Sequence, residues 1–236
     1  MISTRDLKQL LRPLLKRRPD LVFDQGVVFF SPFTHYLRGI AFTDSRWSKR
    51  FDAHSFVMQL FGGDDCLSFE GNEGQHRYDV PESWVDNREG TSAELCEHLE
   101  QQSLPPVEPI VSPRKHEKSR QYMPHFLPGH SPFSSPVYSF AAALGACFMG
   151  DFNRAEPILA DILVHFPEYS VDGATEEFRF HERVHWRMAY LLRLLRTDRG
   201  RIPELLHVWE AFTVNAAKLT KYWKPTPFPC DAIVAE

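Results

Sequence analysis

The sequence has few cysteines, no long apolar run and no excess of basic residues, and each absence excludes a class of protein. Its four cysteines lie far apart and form no C-x-x-C motif, which is typical of reduced, mostly buried thiols in an intracellular protein. No apolar run is long enough to cross a bilayer, and no apolar signal-peptide core follows Met1. The net charge of −4 argues against a general nucleic-acid binder, because such proteins carry a basic patch. We therefore expect a cytoplasmic protein without membrane segments.

Motifs for nucleophilic catalysis and phosphate binding are also missing. The sequence contains no G-x-S-x-G elbow and no Walker-type or G-x-G-x-x-G loop, and no cysteine has a recognisable catalytic context. Gly62-Gly63 is followed by Asp64-Asp65, whose carboxylates would repel a phosphate. Together with Glu70 and Glu73 they form an acidic cluster whose spacing does not fit an EF-hand, so a solvated loop is expected. These absences favour a protein without enzyme activity and without a cofactor.

The first 103 residues have the pattern of an α+β domain. Leucines from Leu7 to Leu15 form one apolar helix stripe, and Pro13 is expected either to kink the helix or to end its regular part early. Strand-like runs follow at Val27–Phe30, Tyr36–Thr43 and His54–Phe61, with a weaker one at Gln75–Val80. The capping box Thr91-Ser92-Ala93-Glu94 predicts the start of a helix that runs to about Gln102. We therefore expect a helix followed by a small antiparallel sheet.

Residues 104–135 are rich in proline and predict a connector to a second domain. Eight of the 18 prolines fall between Leu104 and Pro136, which excludes regular helix or a central strand there. Beyond residue 136 the pattern predicts four helices, at about 136–149, 153–166, 175–195 and 203–223. The prolines at 225, 227 and 229 are expected to prevent any further helix. Residues 136–236 should thus form an all-helical domain of antiparallel hairpins.

The segment from Pro136 to Pro167 has the spacing of a known helical repeat. Six residues match it through the turn and the second helix: Gly150, Asp151, Phe152, Ala155, Leu159 and Pro167. Ala143 stands at the small-residue position of the first helix, but no Trp or Tyr matches upstream. The segment resembles a tetratricopeptide-type hairpin over about 30 residues, without a second clear copy, whereas repeat arrays need about three units. The resemblance implies helical hairpins that form grooves for peptides or helices.

Four segments near the N-terminus follow the order leucine-striped helix, aromatic strand, Ser-Arg-Trp segment and apolar strand. They are Leu10–Leu15, Val27–Phe30, Ser45-Arg46-Trp47 and Phe56–Leu60. In this order the chain resembles an uncharacterised bacterial α/β family whose members occur among immunity-type proteins of toxin systems. The resemblance transfers no catalytic residues. It implies a cytoplasmic immunity or accessory protein of a toxin or defence system, which binds and blocks a partner protein.

One motif points to an enzyme instead. Residues 181–185 read H-E-R-V-H, an H-E-x-x-H pattern within a helical segment. His181 and His185 would share one helix face and could bind zinc, and Glu182 could then activate a metal-bound water. A third ligand would come from the next predicted helix, where the options are Glu204, His207 and Glu210. The alternative hypothesis is therefore a zinc-dependent hydrolase of the metallopeptidase type.

Other features of this segment favour a structural role for both histidines. Arg183 places a charge inside a motif that such peptidases usually keep uncharged, and no further histidine extends it. One row of residues repeats at steps of three and four: Phe178, His181, His185, Met188, Leu192 and Leu195. This spacing predicts a helix-packing seam in which neutral imidazoles find carbonyl or carboxylate partners. We therefore expect packing histidines, with zinc binding as the alternative.

The end of the chain is unusually aromatic. Trp209 and Phe212 are expected in the core, whereas Tyr222 and Trp223 stand at the end of the last predicted helix. Phe228 follows in the proline-rich tail, which either folds back on the helices or presents these last three residues to a partner as anchors. An aromatic-rich, mildly acidic chain favours a protein that binds another protein, and a basic one in particular.

Overall fold

The chain forms two compact units, each assembled from separate stretches of sequence. The computed structural model describes residues 3–44, 51–65, 67, 78–79, 88–105, 136–165 and 176–234. The first unit consists of Met1–Met58, Ser68–Ser119 and Thr220–Lys224, and the second of Gln59–Leu67, Arg120–Leu219 and Pro225–Glu236. Most of the predicted connector, residues 106–135, lies outside the described residues. The domain boundary therefore stays a prediction.

The predicted α+β class is confirmed. The sheet and its helices consist of α1 (Thr4–Leu10), α2 (Arg12–Arg17), β1 (Leu21–Asp24), β2 (Val27–Phe30), β3 (Tyr36–Asp44), β4 (Phe51–Gln59), β5 (Tyr78–Asp79) and α3 (Arg88–His98). The second unit contains α4 (Pro136–Phe148), α5 (Phe152–His165), α6 (Glu176–Thr197), α7 (Ile202–Ala216) and α8 (Pro229–Val234). Helical turns at Leu60–Gly62, Leu99–Ser103, Arg199–Arg201 and Thr220–Tyr222 complete the described elements. No helix among the described residues is long and apolar enough to cross a membrane.

The five strands lie side by side in chain order. Strands β1 and β2 form an antiparallel hairpin whose two turn residues, Gln25 and Gly26, have φ angles of 51° and 80°. Positive φ at both positions suits the right-handed twist of a two-residue hairpin. The predicted strand at His54–Phe61 is two residues too long, because Leu60–Gly62 forms a helical turn. Of the weak strand predicted at Gln75–Val80, only residues 78–79 are described, and they pair with β4.

Helices α1 and α2 contain the predicted leucine stripe and pack on α3. The stripe is interrupted at Leu11, and Pro13 occupies the first turn of α2, where its missing N–H is not needed. Helix α3 begins at Arg88, so the helix start predicted at the Thr91 capping box is wrong. The Ser92 hydroxyl of that box donates instead to the Leu10 carbonyl, at 2.6 Å. This bond joins two residues that are 82 positions apart in the sequence.

The second unit is built from consecutive helices that pack on one another, from α4 to α7. The α4–α5 turn has a Schellman motif: Gly150 N–H donates to the Cys147 carbonyl and Asp151 N–H to the Ala146 carbonyl, both at 2.9 Å. The Asp151 side chain then caps α5 by accepting from Arg154 N–H. A helical hairpin thus occupies the segment where the repeat-like spacing was found, while kinship to that repeat stays a prediction.

Two predictions about the end of the chain are wrong. Helix α7 does not continue to Trp223; it ends at Ala216, and a second Schellman motif follows with Lys218 at a φ of 55°. A lysine in this conformation is not a recognisable stop signal in sequence. The tail also forms helix α8, which starts at Pro229. Proline is tolerated there because its fixed φ suits a first helical position, and Asp231 caps the helix by accepting from Phe228 N–H at 2.6 Å.

A cluster of three phenylalanines fills the interior of the second unit. Phe61 stacks on Phe148 at a ring-centroid distance of 4.8 Å, and Phe228 lies 5.8 Å from Phe61 and 5.0 Å from Phe148. All three rings are buried. Buried aromatic pairs add to the free energy of apolar burial. The cluster therefore joins the turn after β4, the end of α4 and the tail before α8.

We expect Gly150→Ala to lower the free energy of unfolding by about 1–3 kcal/mol. Gly150 has a φ of 77°, and a Cβ there would clash with the Ile233 side chain. The matched control is Gly145→Ala within α4, where the nearest atom to a new Cβ is Gln59 Nε2 at 3.6 Å. This control should stabilise the protein by about 0.5–1 kcal/mol. Urea unfolding of both variants checks the prediction, and equal effects of the two would contradict it.

Candidate functional site

The second unit has a cleft of about 440 Å³ on its surface. Six of the described residues line it, from the turn after β4, from α6 and from α7: Gly63, Asp65, Arg183, Trp186, Arg187 and Phe212. The volume lies within the range of about 300–1,000 Å³ that is typical of ligand sites. The lining combines aromatic rings with charged groups. We therefore regard this cleft as the candidate functional site.

Two aromatic side chains of the cleft are exposed to solvent. Trp186 is 63% exposed and Phe212 is 50% exposed. Trp186 lies on α6 two residues from buried Val184 and Met188, and this spacing turns it to the opposite face of the helix. The expectation that Phe212 lies in the core is wrong, because α7 buries the face that contains Leu206 and Thr213 instead. Exposed aromatic rings that converge on a cleft are unusual on a surface without a binding role.

Arg187 fixes the turn that forms one wall of the cleft. Its Nη1 atom donates to the Gly62 carbonyl at 2.7 Å and to Asp64 Oδ1 at 2.9 Å. The side chains of Arg187 and Asp64 are only 13% and 22% exposed, so that water screens this ion pair weakly. A planar guanidinium can hold a carbonyl and a carboxylate together in this way. The pair therefore attaches the turn to α6.

Gly63 is required for the close packing of the same turn. Its φ is 76°, and a Cβ there would lie 3.1 Å from Trp209 Cγ and 3.3 Å from Arg187 Cδ. A side chain at this position would push against both residues and would also strain the backbone. One more carbon atom in this turn would therefore force its neighbours on α6 and α7 to shift by a few tenths of an ångström.

A second arginine–aspartate pair lies at the rim of the cleft. Arg183 Nη2 approaches Asp65 Oδ2 to 3.3 Å, and the two side chains are 50% and 43% exposed. Arg183 precedes Arg187 by one turn of α6, so both guanidinium groups lie along the same side of the helix. Exposed pairs of this kind contribute about 0–1 kcal/mol, because water and salt screen them. The rim pair can therefore open at little cost.

The helix that contains the H-E-x-x-H motif is present, but the zinc hypothesis stays untested. Helix α6 includes residues 181–185, while the side chains of His181 and Glu182 lie outside the description. His185 is half-buried at the edge of the α6 face that buries Val184, Met188, Leu191 and Leu195. In the described part of the chain, no three His, Cys, Asp or Glu side chains form a group that could hold a metal.

The three candidate third ligands on α7 have different environments. Glu204 is exposed and Glu210 is fully buried. His207 Nε2 lies 3.0 Å from Asp231 Oδ2, and its ring stacks on Phe228 at a centroid distance of 4.0 Å. His207 is therefore part of the packing that holds α8.

The three aromatic residues considered as partner anchors occupy different places. Phe228 is 2% exposed, in the interior of the second unit. Tyr222 and Trp223 are half-buried in the first unit, where the Tyr222 ring packs edge-to-face on Phe29 at 5.2 Å. Phe33 N–H donates to the Tyr222 carbonyl and Lys224 N–H donates to the Phe33 carbonyl. Phe228 therefore lies against the helices, as the fold-back alternative expects, whereas Tyr222 packs on the sheet; a role of the three residues as partner anchors stays a prediction.

The described thiols are not available as nucleophiles. Cys96, Cys147 and Cys230 are free and buried, whereas Cys66 lies outside the described residues. Burial, with a smaller effect of the Asp231 charge, raises the pKa of Cys230 to about 12. Burial likewise raises the pKa values of Cys96 and Cys147. These three thiols stay protonated at neutral pH, and a protonated thiol is a poor nucleophile.

Sequence patterns gave only a partial signal for the cleft. The predicted packing row from Phe178 to Leu195 occupies one face of α6. Trp186 falls outside this row, on the polar face, where a large aromatic residue is unusual. The turn at residues 62–65 was interpreted as a solvated acidic loop, whereas Asp64 and Asp65 pair with arginines more than 115 residues away. Long-range pairing of this kind leaves no local pattern.

We expect the two arginine–aspartate pairs to differ in coupling energy. A double-mutant cycle with Arg187→Met and Asp64→Asn should give about 1–3 kcal/mol, because the pair is shielded and Arg187 also binds a carbonyl. The matched cycle with Arg183→Met and Asp65→Asn should give about 0–1 kcal/mol. Urea unfolding of the single and double variants measures both values. A larger coupling energy for the Arg183–Asp65 pair than for the Arg187–Asp64 pair would contradict this prediction.

We expect the untagged protein to hold far less than one zinc ion per chain. Two imidazoles on one helix bind zinc weakly unless a third protein ligand joins them. Mass spectrometry after dialysis measures the zinc content per chain. The measurement compares the unsubstituted protein with His181→Ala and His185→Ala, and His165→Ala on α5 is the control. One zinc per chain that is lost in the first two variants, but not in the control, would support the hydrolase hypothesis.

Similarity to known proteins does not assign the cleft a role. No protein-family model, no curated protein and no solved structure matches this chain. The resemblances to a helical repeat and to immunity-type proteins therefore stay predictions. The function has to be argued from the geometry and chemistry of the described residues.

Proposed function

We propose that this chain is a non-catalytic protein-binding module and that its binding surface is the Trp186–Phe212 cleft. In its most concrete form, it is a cytoplasmic immunity or accessory protein of a bacterial toxin or defence system. Such a protein would neutralise its partner by covering an active site.

The observation that supports this proposal is the exposure of Trp186 and Phe212 in one cleft beside two arginines. Tryptophan and arginine are enriched among the residues that contribute most to protein–protein affinity. An aromatic ring that is exposed in the free protein leaves apolar surface in contact with water. A partner that covers the ring removes this surface from water, which favours binding. Single exposed apolar residues are common on protein surfaces. Two exposed aromatic rings that line one cleft beside a fixed arginine are less common.

Binding is favoured over catalysis by the chemistry of the cleft walls. Among the six lining residues there is no histidine, cysteine, serine or threonine that could act as a nucleophile or general base near neutral pH. Asp65 is half-exposed and forms an ion pair with Arg183. The walls are therefore suited to hold a partner side chain.

The immunity version is favoured by two features together. The N-terminal segments resemble immunity-type proteins, and the cleft offers a rigid wall next to an adaptable rim. Inhibitors that block enzymes bind through fixed central anchors surrounded by polar contacts. The cleft has this composition on a small scale, with Arg187 as the fixed group and Arg183 at the rim.

We expect Trp186→Ala and Phe212→Ala each to weaken binding to the true partner by about thirtyfold or more, as loss of a central anchor does. The product of the neighbouring gene in the source organism is the first partner to test. Its toxicity in a host cell would be relieved by the unsubstituted chain and not by these variants. Calorimetry with the purified pair would measure the affinities.

The matched control for this test is Val164→Ala. Val164 is 76% exposed on α5 and does not line the cleft. It should keep full affinity and full protection. If all three variants bind equally well, the cleft is not the interface. If no binding or protection occurs and zinc-dependent peptide cleavage is found, the hydrolase hypothesis takes its place.

A further inference from the structure

We propose that the cleft binds an acidic segment of its partner, in which a carboxylate side chain lies next to a large apolar side chain. This inference depends on the proposed function, because it names the chemistry of the partner that the same cleft would bind. It is supported by the charges in the cleft walls, by the weakness of the rim ion pair and by the exposed rings.

The charges in the cleft walls favour an anion. Among the described residues that line the cleft, Arg183 and Arg187 are basic and Asp65 is acidic. Asp64 lies behind this lining, 2.9 Å from Arg187, and balances its charge, so Arg183 is the guanidinium that can meet a bound group. Because Coulomb energy falls with distance, the charges in the wall act most strongly on a bound group. The cleft should therefore attract a carboxylate, which differs from the basic partner that the net charge of −4 of the whole chain predicts.

A cationic segment is less suitable for the same cleft. The face of the Trp186 indole would attract an ammonium or guanidinium group, but cation–π attraction at an exposed ring is weak. The same cation would have to compete with Arg183 for Asp65 and would lie close to the Arg183 guanidinium, and like charges at close range repel. We therefore expect the indole to pack against an apolar side chain.

Arg183 is the group that can exchange its partner on binding. Its 3.3 Å distance to Asp65 is longer than the roughly 2.7–2.9 Å of a strong charge-assisted hydrogen bond. A carboxylate on the partner could accept two parallel N–H bonds from the guanidinium, which is the stronger arrangement. Asp65 would then turn toward water, where an exposed carboxylate is well solvated. Arg187 would keep its bonds to the turn, so the wall would not move.

The apolar half of the segment would lie between Trp186 and Phe212. Among the side chains that the structure describes, these are the two most exposed aromatic rings. The cleft of about 440 Å³ has room for one large aliphatic or aromatic side chain with the neighbouring carboxylate. A segment with an aspartate or glutamate next to leucine, phenylalanine or tryptophan meets both requirements.

The experiment is a selection from a random peptide library against the immobilised full-length protein. Parallel selections use Arg183→Glu, Trp186→Ala and the control Val164→Ala, each first shown by circular dichroism to be folded. We expect the unsubstituted protein and the control to enrich peptides in which an acidic residue adjoins a large apolar one. The Arg183→Glu protein should lose the acidic preference, and Trp186→Ala should lose the apolar preference.

The affinity of one enriched peptide, measured by fluorescence anisotropy, gives the second readout. Arg183→Glu and Trp186→Ala should each weaken it by about tenfold or more, and Val164→Ala by less than about twofold. Arg183→Lys keeps the charge but lacks the planar fork, so it should weaken binding less than Arg183→Glu. Binding should also decrease with added salt, because the contact at the rim is exposed.

The outcomes separate this inference from the proposed function. Enriched basic or neutral peptides that need Trp186 would overturn the acidic inference and leave the cleft as a protein-binding site. Peptides that bind equally well to Trp186→Ala would place the interface elsewhere and overturn both. A selection that enriches no peptide from the library would likewise count against both, since an acidic segment of this chemistry is present in a random library.

Discussion

The bonds of Arg187 to Gly62 and Asp64 are the interaction on which the cleft depends. The two acceptors belong to a turn, and the guanidinium belongs to a helix more than 120 residues further along the chain. Without this contact nothing in the local sequence would hold a Gly-Gly-Asp-Asp turn in one conformation, because glycines gain the most freedom when released. Gly63 then allows the turn to approach Trp209 and Arg187 closely enough to close one wall. Arginine is suited to this place because Nη1 donates to both acceptors while Nε donates to the Arg183 carbonyl at 3.3 Å, and the ammonium of lysine offers no second nitrogen for that third bond.

One turn earlier on the same helix, Arg183 forms a pair of the same chemical type with a different physical role. The difference lies in solvent access, since the Arg187 pair is mostly shielded and the Arg183 pair is about half-exposed. A shielded pair resists exchange because an unpaired charge would remain in a poorly solvated place. An exposed pair opens readily because water replaces each partner. A fixed wall and an adaptable rim are what a binding surface needs in order to be both specific and reversible.

Expectations from the sequence succeeded where one local physical rule dominated. Apolar periodicity placed the leucine stripe of α1 and α2, the strands β2 and β3, and the helices α4 to α6 close to their observed bounds. Expectations failed where the same local pattern permits more than one conformation. Helix α3 begins at Arg88 rather than at the Thr91 capping box, Lys218 ends α7 at a positive φ, and Pro229 starts a helix that prolines were expected to prevent.

By itself, the sequence determined the α+β class, the helical nature of the C-terminal half and the absence of familiar catalytic motifs, because these follow from composition and short-range spacing. The H-E-x-x-H string also came from spacing alone, and its chemistry depends on ligands that spacing does not locate. Only the tertiary structure decided that Phe212 faces solvent, that Phe228 is buried, and that Arg183 and Arg187 meet Asp65 and Asp64. Side-chain exposure and ion pairing depend on which surfaces meet after folding, and residues far apart in the chain meet without any regular spacing between them.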